Sequence, residues 1–301
     1  MKRISCPICF VPTAARAYSG NRQKSDNWKA TMKASGSDSR GRDIYSCKNC
    51  GVYFCHPMPD ESDLLEAYNS GEDENFVSQN IFRYKTFKSN FGKFLKNTHL
   101  PLSDVHVTDI GAASGIFLKM IEDSGGLATG FEANSWLVNY GKTNYKVNLH
   151  EGSVRNFTAS SSLLEIVTLW DVLEHLAKPR EDLLYLASHL KPKSIILVSL
   201  PSTDSKTFKL LRWRWPMHLD VHLFYYNKKS LNALFNSCSF KLVYESKYPQ
   251  LLSLGYLMFR GLKIFFPKLS DSRGNLLTRS FLNSVPVKYS IGQRIYAFEK
   301  L

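Results

Sequence analysis

Residues Val107–Leu118, VTDIGAASGIFL, constrain this chain more than any other stretch. An apolar run (Val105, Val107, Ile110) carries Asp109 and stops at Gly111. A turn of small residues, Ala112–Gly115, follows, and an apolar helical pattern begins at Ile116. The pattern predicts a strand, a tight loop and a helix start. Gly111 lets the backbone turn sharply, and Gly115 is expected to leave room for a ligand where a side chain would block it. Glu132 closes a second short strand, ATGFE, 17 residues after Gly115. A carboxylate at that strand end can accept both hydroxyls of a ribose. Together these features imply a nucleoside-bearing cofactor over the first strand. A nicotinamide cofactor is disfavoured, because its pyrophosphate needs G-x-G-x-x-G and this loop reads G-A-A-S-G.

From residue 104 the pattern alternates. Strands are expected at Val105–Ile110, Ala128–Glu132, Val147–Leu149, Ile166–Trp170 and Ser194–Leu200, and helices at Ile116–Asp123, Ser135–Lys142 and Arg180–Leu190. Such alternation gives an α/β fold with a Rossmann-like, doubly wound sheet. A helix at Ser230–Ser237 and two last strands, Phe240–Tyr248 and Arg294–Glu299, would bring the sheet to seven strands. Upstream, Asp60–Asp63 starts one helix, and Phe82–Leu95 reads as a second, with Phe87, Phe91, Phe94 and Leu95 near helical spacing. That aromatic stripe is read as core. Tyr68 and Tyr84 are the exceptions, since a hydroxyl on a covering helix could reach a ligand.

Six cysteines occupy positions 6, 9, 47, 50, 55 and 238. Cys6-Pro-Ile-Cys9 and Cys47-Lys-Asn-Cys50 are two C-x-x-C knuckles with 37 residues between them. Two knuckles supply the four sulfurs of a tetrahedral zinc ion. A set of four thiolates leaves no open position, so the zinc is read as structural. The polar stretch Gly20–Gly41 is expected to bulge out as a loop. Cys55 and Cys238 lack partners at ligand spacing and are read as buried thiols. The start, MKRISCPICF, shows no apolar leader, so a cytoplasmic protein without disulfides is expected.

The formal charge of +13 is uneven. Residues 101–200 hold 8 basic and 11 acidic side chains, whereas residues 201–301 hold 16 and 5. A basic C-terminal third favours an anionic partner. Nucleic acid is disfavoured, because residues 1–57 lack a dense basic stretch with aromatics. Leu251–Pro267 is the most apolar segment, but Arg260 and Lys263 interrupt it and it is too short to span a bilayer. It is read as a buried helix, with peripheral contact at the inner face of the membrane as the other reading.

The loop resembles motif I of the class I S-adenosylmethionine-dependent methyltransferases, D-I-G-x-G-x-G, with Ala113 at the middle glycine. The acid Glu132, the segment EGSV (Glu151–Val154) and TLWDVLEHL (Thr168–Leu176) follow in that family's order, and HLFYYNKKSL, CSF and GQRIYAFEK extend the resemblance toward the C-terminus. The whole chain is similar to bacterial proteins that join a zinc ribbon to a methyltransferase domain and modify sugars or other small molecules. The resemblance implies a ribbon at 1–57, a helical linker or lid at 58–103, and a catalytic domain at 104–301. It implies that Asp109 orients the loop or the methionine ammonium, and that Gly111, Ala113 and Gly115 face the methionine end. Glu132 would hold the ribose, Ser153 and Val154 would frame the adenine, and Trp170 and Asp171 would lie beside the sulfonium or the acceptor. His222, within an H-x-x-Y pattern with Tyr225, is the first choice of base, and His175 is the second. The implied acceptor is an anionic small molecule, a nucleotide sugar or a lipid-linked glycan. The rival reading is a zinc-ribbon nucleic-acid-binding protein or scaffold whose methyltransferase domain is degenerate.

Overall fold

A computed structural model describes residues 4–20, 41–69, 74–159, 164–265 and 280–301. The chain opens with strands β1 (Ala14–Tyr18), β2 (Ile44–Cys47) and β3 (Tyr53–Cys55). Helices α1 (Glu61–Asn69), α2 (Glu74–Val77) and α3 (Asn80–Thr98) follow. The alternating section runs β4 (Val105–Ile110), α4 (Ile116–Asp123), β5 (Leu127–Glu132), α5 (Ser135–Tyr145), β6 (Leu149–Glu151), β7 (Leu164–Trp170), α6 (Pro179–His189) and β8 (Ile195–Pro201). The last third contributes α7 (Lys206–Leu211), β9 (Phe224–Tyr225), α8 (Lys228–Asn236), β10 (Phe240–Lys247), β11 (Gln250–Ser253), α9 (Leu254–Phe265), β12 (Pro286–Tyr289) and β13 (Gln293–Lys300).

The expected seven-stranded sheet forms, in the order β10-β13-β8-β7-β4-β5-β6. Strands β8, β7, β4, β5 and β6 are parallel, and β13 runs antiparallel between β8 and β10. The central strands β7 and β8 are covered on both faces, which is why they read as unbroken apolar runs. On one face Ile166 and Leu197 join Phe91, Phe94 and Phe117. On the other, Val167 and Ile196 join Leu183, Leu234 and Phe235. The α3 stripe is core, as its spacing predicts: Phe91 and Phe94 are buried.

The second core also takes in Cys6, Ile8, Val52 and Phe54 of the N-terminal segment. That segment builds a four-stranded sheet in the order β1-β2-β3-β9, so its last strand comes from beyond β8. The pairing aligns Tyr53 with Tyr225 and Phe54 with Phe224. A ribbon of this size has too little apolar surface to close a core alone. Here it shares one. The ends of the Gly20–Gly41 stretch belong to this unit, while residues 21–40 lie outside the described residues.

Some boundaries differ from the expectation. Strand β6 begins at Leu149 rather than Val147, because Lys146 ends α5 in the left-handed region (φ 55°) and the ladder starts only with Gly130 opposite Leu149. Leu251–Pro267 is not one helix. Gln250–Ser253 pairs with β12, and the helix starts at Leu254. Leu252 and Tyr256 are buried, Met258 is exposed, and Pro267 lies outside the described residues. No helix among the described residues is long and apolar enough to cross a membrane.

Asn227 fastens the ribbon to the catalytic sheet. Its Oδ1 accepts from Ser230 N at 2.7 Å as the N-cap of α8, and its Nδ2 donates to Gly51 O at 2.9 Å, just past the second knuckle. Lys229 donates to Asn49 O beside it. Asn227→Ala is expected to lower stability by about 1–2 kcal/mol, the worth of a helix cap plus one buried hydrogen bond. Asn227→Ser, which keeps a cap but not the reach to Gly51, should fall between the two in urea unfolding.

Candidate active site

One cavity of about 380 Å³ opens over the C-terminal ends of β4, β5, β7 and β8. Ligands in doubly wound sheets bind at this edge, and the volume lies in the range of small-molecule sites. Ten of the residues singled out in the sequence line it: Asp109, Gly111, Ala113, Glu132, Ser153, Val154, Trp170, Asp171, His175 and His222. Helices α1 and α3 add Tyr68, Arg83 and Phe87, and the C-terminal third adds Tyr248, Gln250, Arg260 and Tyr289.

Gly115 stands apart. It does not line the cavity; a Cβ there would meet Val147 Cγ2 at 2.8 Å, and its φ is +72°. It is glycine to start α4 and to let β6 pack close, not to admit a ligand. Gly111, also left-handed at φ +70°, does line the cavity, and a Cβ there would meet Val172 Cγ2 at 2.5 Å. Ala113 takes a positive φ of 48° without being glycine.

Glu132 explains how that loop holds its shape. The residue is fully buried, and its two oxygens accept from Ala113 N and Asn134 N, each at 2.8 Å. The Tyr68 hydroxyl is a further donor. One carboxylate thus ties β5 to the motif loop and to α1. Burial raises its pKa, against the pull of these donors. A carboxylate has about four lone-pair sites, so capacity remains for a ligand hydroxyl. Of the two watched tyrosines, only Tyr68 lines the cavity; Tyr84 donates to exposed Asp123 at 3.1 Å.

Asp109 is buried beside the loop and accepts from Thr168 Oγ1 at 2.6 Å. Burial pushes its carboxyl up to about 8; Thr168 opposes the rise and the Glu132 charge adds to it. A buried acid facing a cavity without a cationic neighbour fits a cationic ligand group. Trp170 stacks on Tyr248 with centroids 5.5 Å apart, and its indole N–H has no partner among the described residues. Asp171, at φ 54°, takes its backbone turn at the end of β7 and accepts from Ser199 Oγ at 3.1 Å.

His175 and His222 meet edge to face, with ring centroids 4.9 Å apart. His175 Nδ1 lies 2.7 Å from Val221 O, and His222 Nδ1 lies 2.8 Å from Met217 O. A carbonyl accepts only, so both Nδ1 atoms carry the proton and both Nε2 atoms hold lone pairs. Burial lowers His175 to about 4, and it holds His222 well below its ordinary value with help from the His175 charge. Asp220 accepts from Gly41 N at 3.0 Å, and His218 packs between Tyr18 and Trp213.

Sequence reasoning missed Glu174. It is buried in the turn between Asp171 and His175, its two carboxylate oxygens have no hydrogen-bond partner among the described residues, and burial raises it well above the usual range. Its signal was the D-x-x-E-H run, two acids three apart beside a histidine. Arg83 and Arg260 carried no local signal, because their elements reach the cavity only through tertiary packing.

The four knuckle cysteines converge. Cys6 and Cys50 sulfurs lie 3.7 Å apart, and Cys9 and Cys47 lie 3.6 Å apart. A tetrahedron with Zn–S bonds of about 2.3 Å has edges of about 3.8 Å. Ile8 N donates to Cys6 Sγ at 3.4 Å, and four sulfurs at this spacing fit a thiolate-binding ion. Cys55 and Cys238 are buried thiols, as expected.

A sequence model of the methyltransferase domain matches residues 82–245, more than half of the chain. The chain belongs to this methyltransferase family. No curated protein matches it in sequence. Among solved structures, it is similar to a Bacillus halodurans protein assigned as a methyltransferase, at 12% identity and TM-score 0.50, over 70% of this chain and 99% of that one. It is also similar to the magnesium protoporphyrin IX methyltransferase of Synechocystis, which was solved with S-adenosylhomocysteine, at 12% identity and TM-score 0.48, over 77% and 89%. The chain thus carries a methyltransferase domain with the Rossmann-like fold its motif loop implied.

Two predictions follow from this geometry. Asp109 holds a proton in the folded state that the unfolded chain releases from about pH 4 upward, so its contribution is full below that pH and is lost as pH rises through about 8. Asp109→Asn should therefore raise the Tm of the ligand-free protein by several degrees at pH 9 and hardly at all at pH 4, in a scan of melting against pH. The purified chain should carry one tightly held zinc by elemental analysis. Cys47→Ser should lose that zinc and unfold at lower urea.

Proposed function

We propose that this methyltransferase acts on an anionic small molecule, a sugar carried on a nucleotide or a lipid-linked glycan. The observation that carries the reading is that Arg83 and Arg260 line the same cavity as Asp109 and Glu132. Gln250, Tyr256 and Tyr289 beside them can hydrogen-bond sugar hydroxyls, and the aromatic faces of Trp170 and Tyr248 suit a sugar ring. A guanidinium recognises phosphate through two parallel hydrogen bonds. The basic C-terminal third favours the same partner.

S-adenosylmethionine, when bound, supplies the methyl group on a sulfonium. In our reading Glu132 accepts the ribose hydroxyls, and Ser153 and Val154 frame the adenine. The backbone of Gly111–Ala113 follows the methionine end, with Asp109 toward its ammonium. Trp170 and Asp171 border the transfer point, and the aromatic cover of Phe87, Phe117 and Tyr248 keeps water from it. His222, with His175 beside it, is the group that deprotonates or polarises the acceptor hydroxyl; both neutral imidazoles offer Nε2. Residues 1–57 act as a zinc ribbon that supports the acceptor side, residues 58–103 as a cover, and residues 104–301 as the catalytic domain.

Calorimetric titration with S-adenosylhomocysteine tests the cofactor half. The wild type should bind, and Glu132→Ala should weaken binding by about tenfold or more, from about 1.5 kcal/mol for one charge-assisted hydrogen bond. Retained affinity in the variant would remove the ribose role. For the acceptor half, label from methyl-tritiated S-adenosylmethionine should appear in a panel of nucleotide sugars. Arg260→Gln should raise the acceptor KM far more than it lowers kcat.

A further inference from the structure

Glu174, His175 and His222 form a cluster in which the transfer reaction as read above gives Glu174 no part. One donor atom from each comes within 4.8 Å of the others. The three residues come from two separate stretches, the turn after β7 and the loop before β9, and all three line the cavity. Glu174 is buried, at 1% exposure, and neither of its oxygens has a hydrogen-bond partner among the described residues. Burying a carboxylate with no donor is costly.

The histidines are arranged to match. Each gives its Nδ1 proton to a backbone carbonyl, Val221 O or Met217 O. That outer contact sets the tautomer and ring orientation of metal-binding imidazoles. No hydrogen bond engages either Nε2 among the described residues. Two imidazoles and one carboxylate thus bring ligand atoms to within 4.8 Å of one another. Bonds of about 2.1 Å would span up to about 4.2 Å between donors, so a small side-chain adjustment closes the set.

We propose that Glu174, His175 and His222 bind a divalent first-row transition cation at the acceptor end of the cavity. A set of two histidines and one carboxylate leaves coordination positions open. Those positions suit the oxygen atoms of a hydroxyl-bearing acceptor, which a cation would both hold and polarise. The proposal deepens the methyltransferase reading and rests on it: it assigns the two imidazoles as ligands that act on the acceptor through the cation. It is separate from the four-cysteine site, whose sulfurs belong to the ribbon.

The test is cobalt uptake by the full-length, zinc-loaded protein, with Co²⁺ alone as the probe. One Co²⁺ per chain should bind and show visible bands without thiolate-to-cobalt charge transfer. Glu174→Gln and His222→Gln, close in shape to the native residues, should each weaken binding by about tenfold or more while keeping the ribbon zinc and without lowering the melting temperature. Absence of cobalt binding would overturn the proposal. So would uptake that the two substitutions leave unchanged, or uptake that shows only thiolate bands. Titration of the same samples with S-adenosylhomocysteine separates the two readings. Wild type that binds the nucleoside but no cobalt removes the cation alone, whereas failure to bind the nucleoside removes the methyltransferase reading beneath it.

Discussion

The pairing of β3 with β9 is the interaction on which the rest of this structure depends. It joins residues about 170 positions apart in the chain, Tyr53 to Tyr225 and Phe54 to Phe224. The N-terminal ribbon cannot bury a core of its own, and the loop between β8 and β9 has little regular structure. Each supplies what the other lacks. The ribbon gains the apolar face of the catalytic sheet, and the loop gains a ladder that holds His222 beside His175. Asn227 and Lys229 reinforce the join at the second knuckle. Order imposed by the four cysteines is thereby passed to the His175–His222 side of the cavity, although none of them lines it.

A second constraint is the concentration of acids. Asp109, Glu132, Asp171 and Glu174 all line one cavity, and burial raises the pKa of each. They are satisfied to different degrees. Glu132 is tied by three donors and works as a structural clasp that lines the cavity. Asp171 leans on Ser199, Asp109 has Thr168, and Glu174 has none. Folding does not select such a gradient for its own sake, since each unpaired buried acid destabilises the empty protein. It suits a site whose ligands bring positive charge and hydroxyl groups to fixed points.

The legibility of the sequence varied with the range of the interaction. The motif loop, the parallel strands and the knuckles were readable because each depends on neighbours in the chain: an apolar period, a turn residue, a two-residue spacing. Boundaries slipped where a local signal was overridden. Val147 looked like strand, yet the left-handed Lys146 delays the ladder to Leu149. The run Leu251–Pro267 looked like one helix, yet β12 captures its first residues as a strand. Gly115 was assigned to ligand space, and the volume it leaves is filled by Val147. Glu174 went unread because an acid in a short turn is normally solvated; only the fold reveals that it is buried.

By itself the sequence determined the class of the fold, the motif loop and the two knuckles whose four sulfurs converge. These follow from periodicity, backbone permissiveness and ligand spacing, all of which act over a few residues. Only the tertiary structure decided that the ribbon and the catalytic sheet share a core, that Arg83 and Arg260 reach the same cavity as Asp109, and that an orphaned Glu174 stands against two neutral histidines. Those outcomes depend on which distant surfaces exclude water together. Burial, not residue type, then sets the charge state and the chemistry of each group.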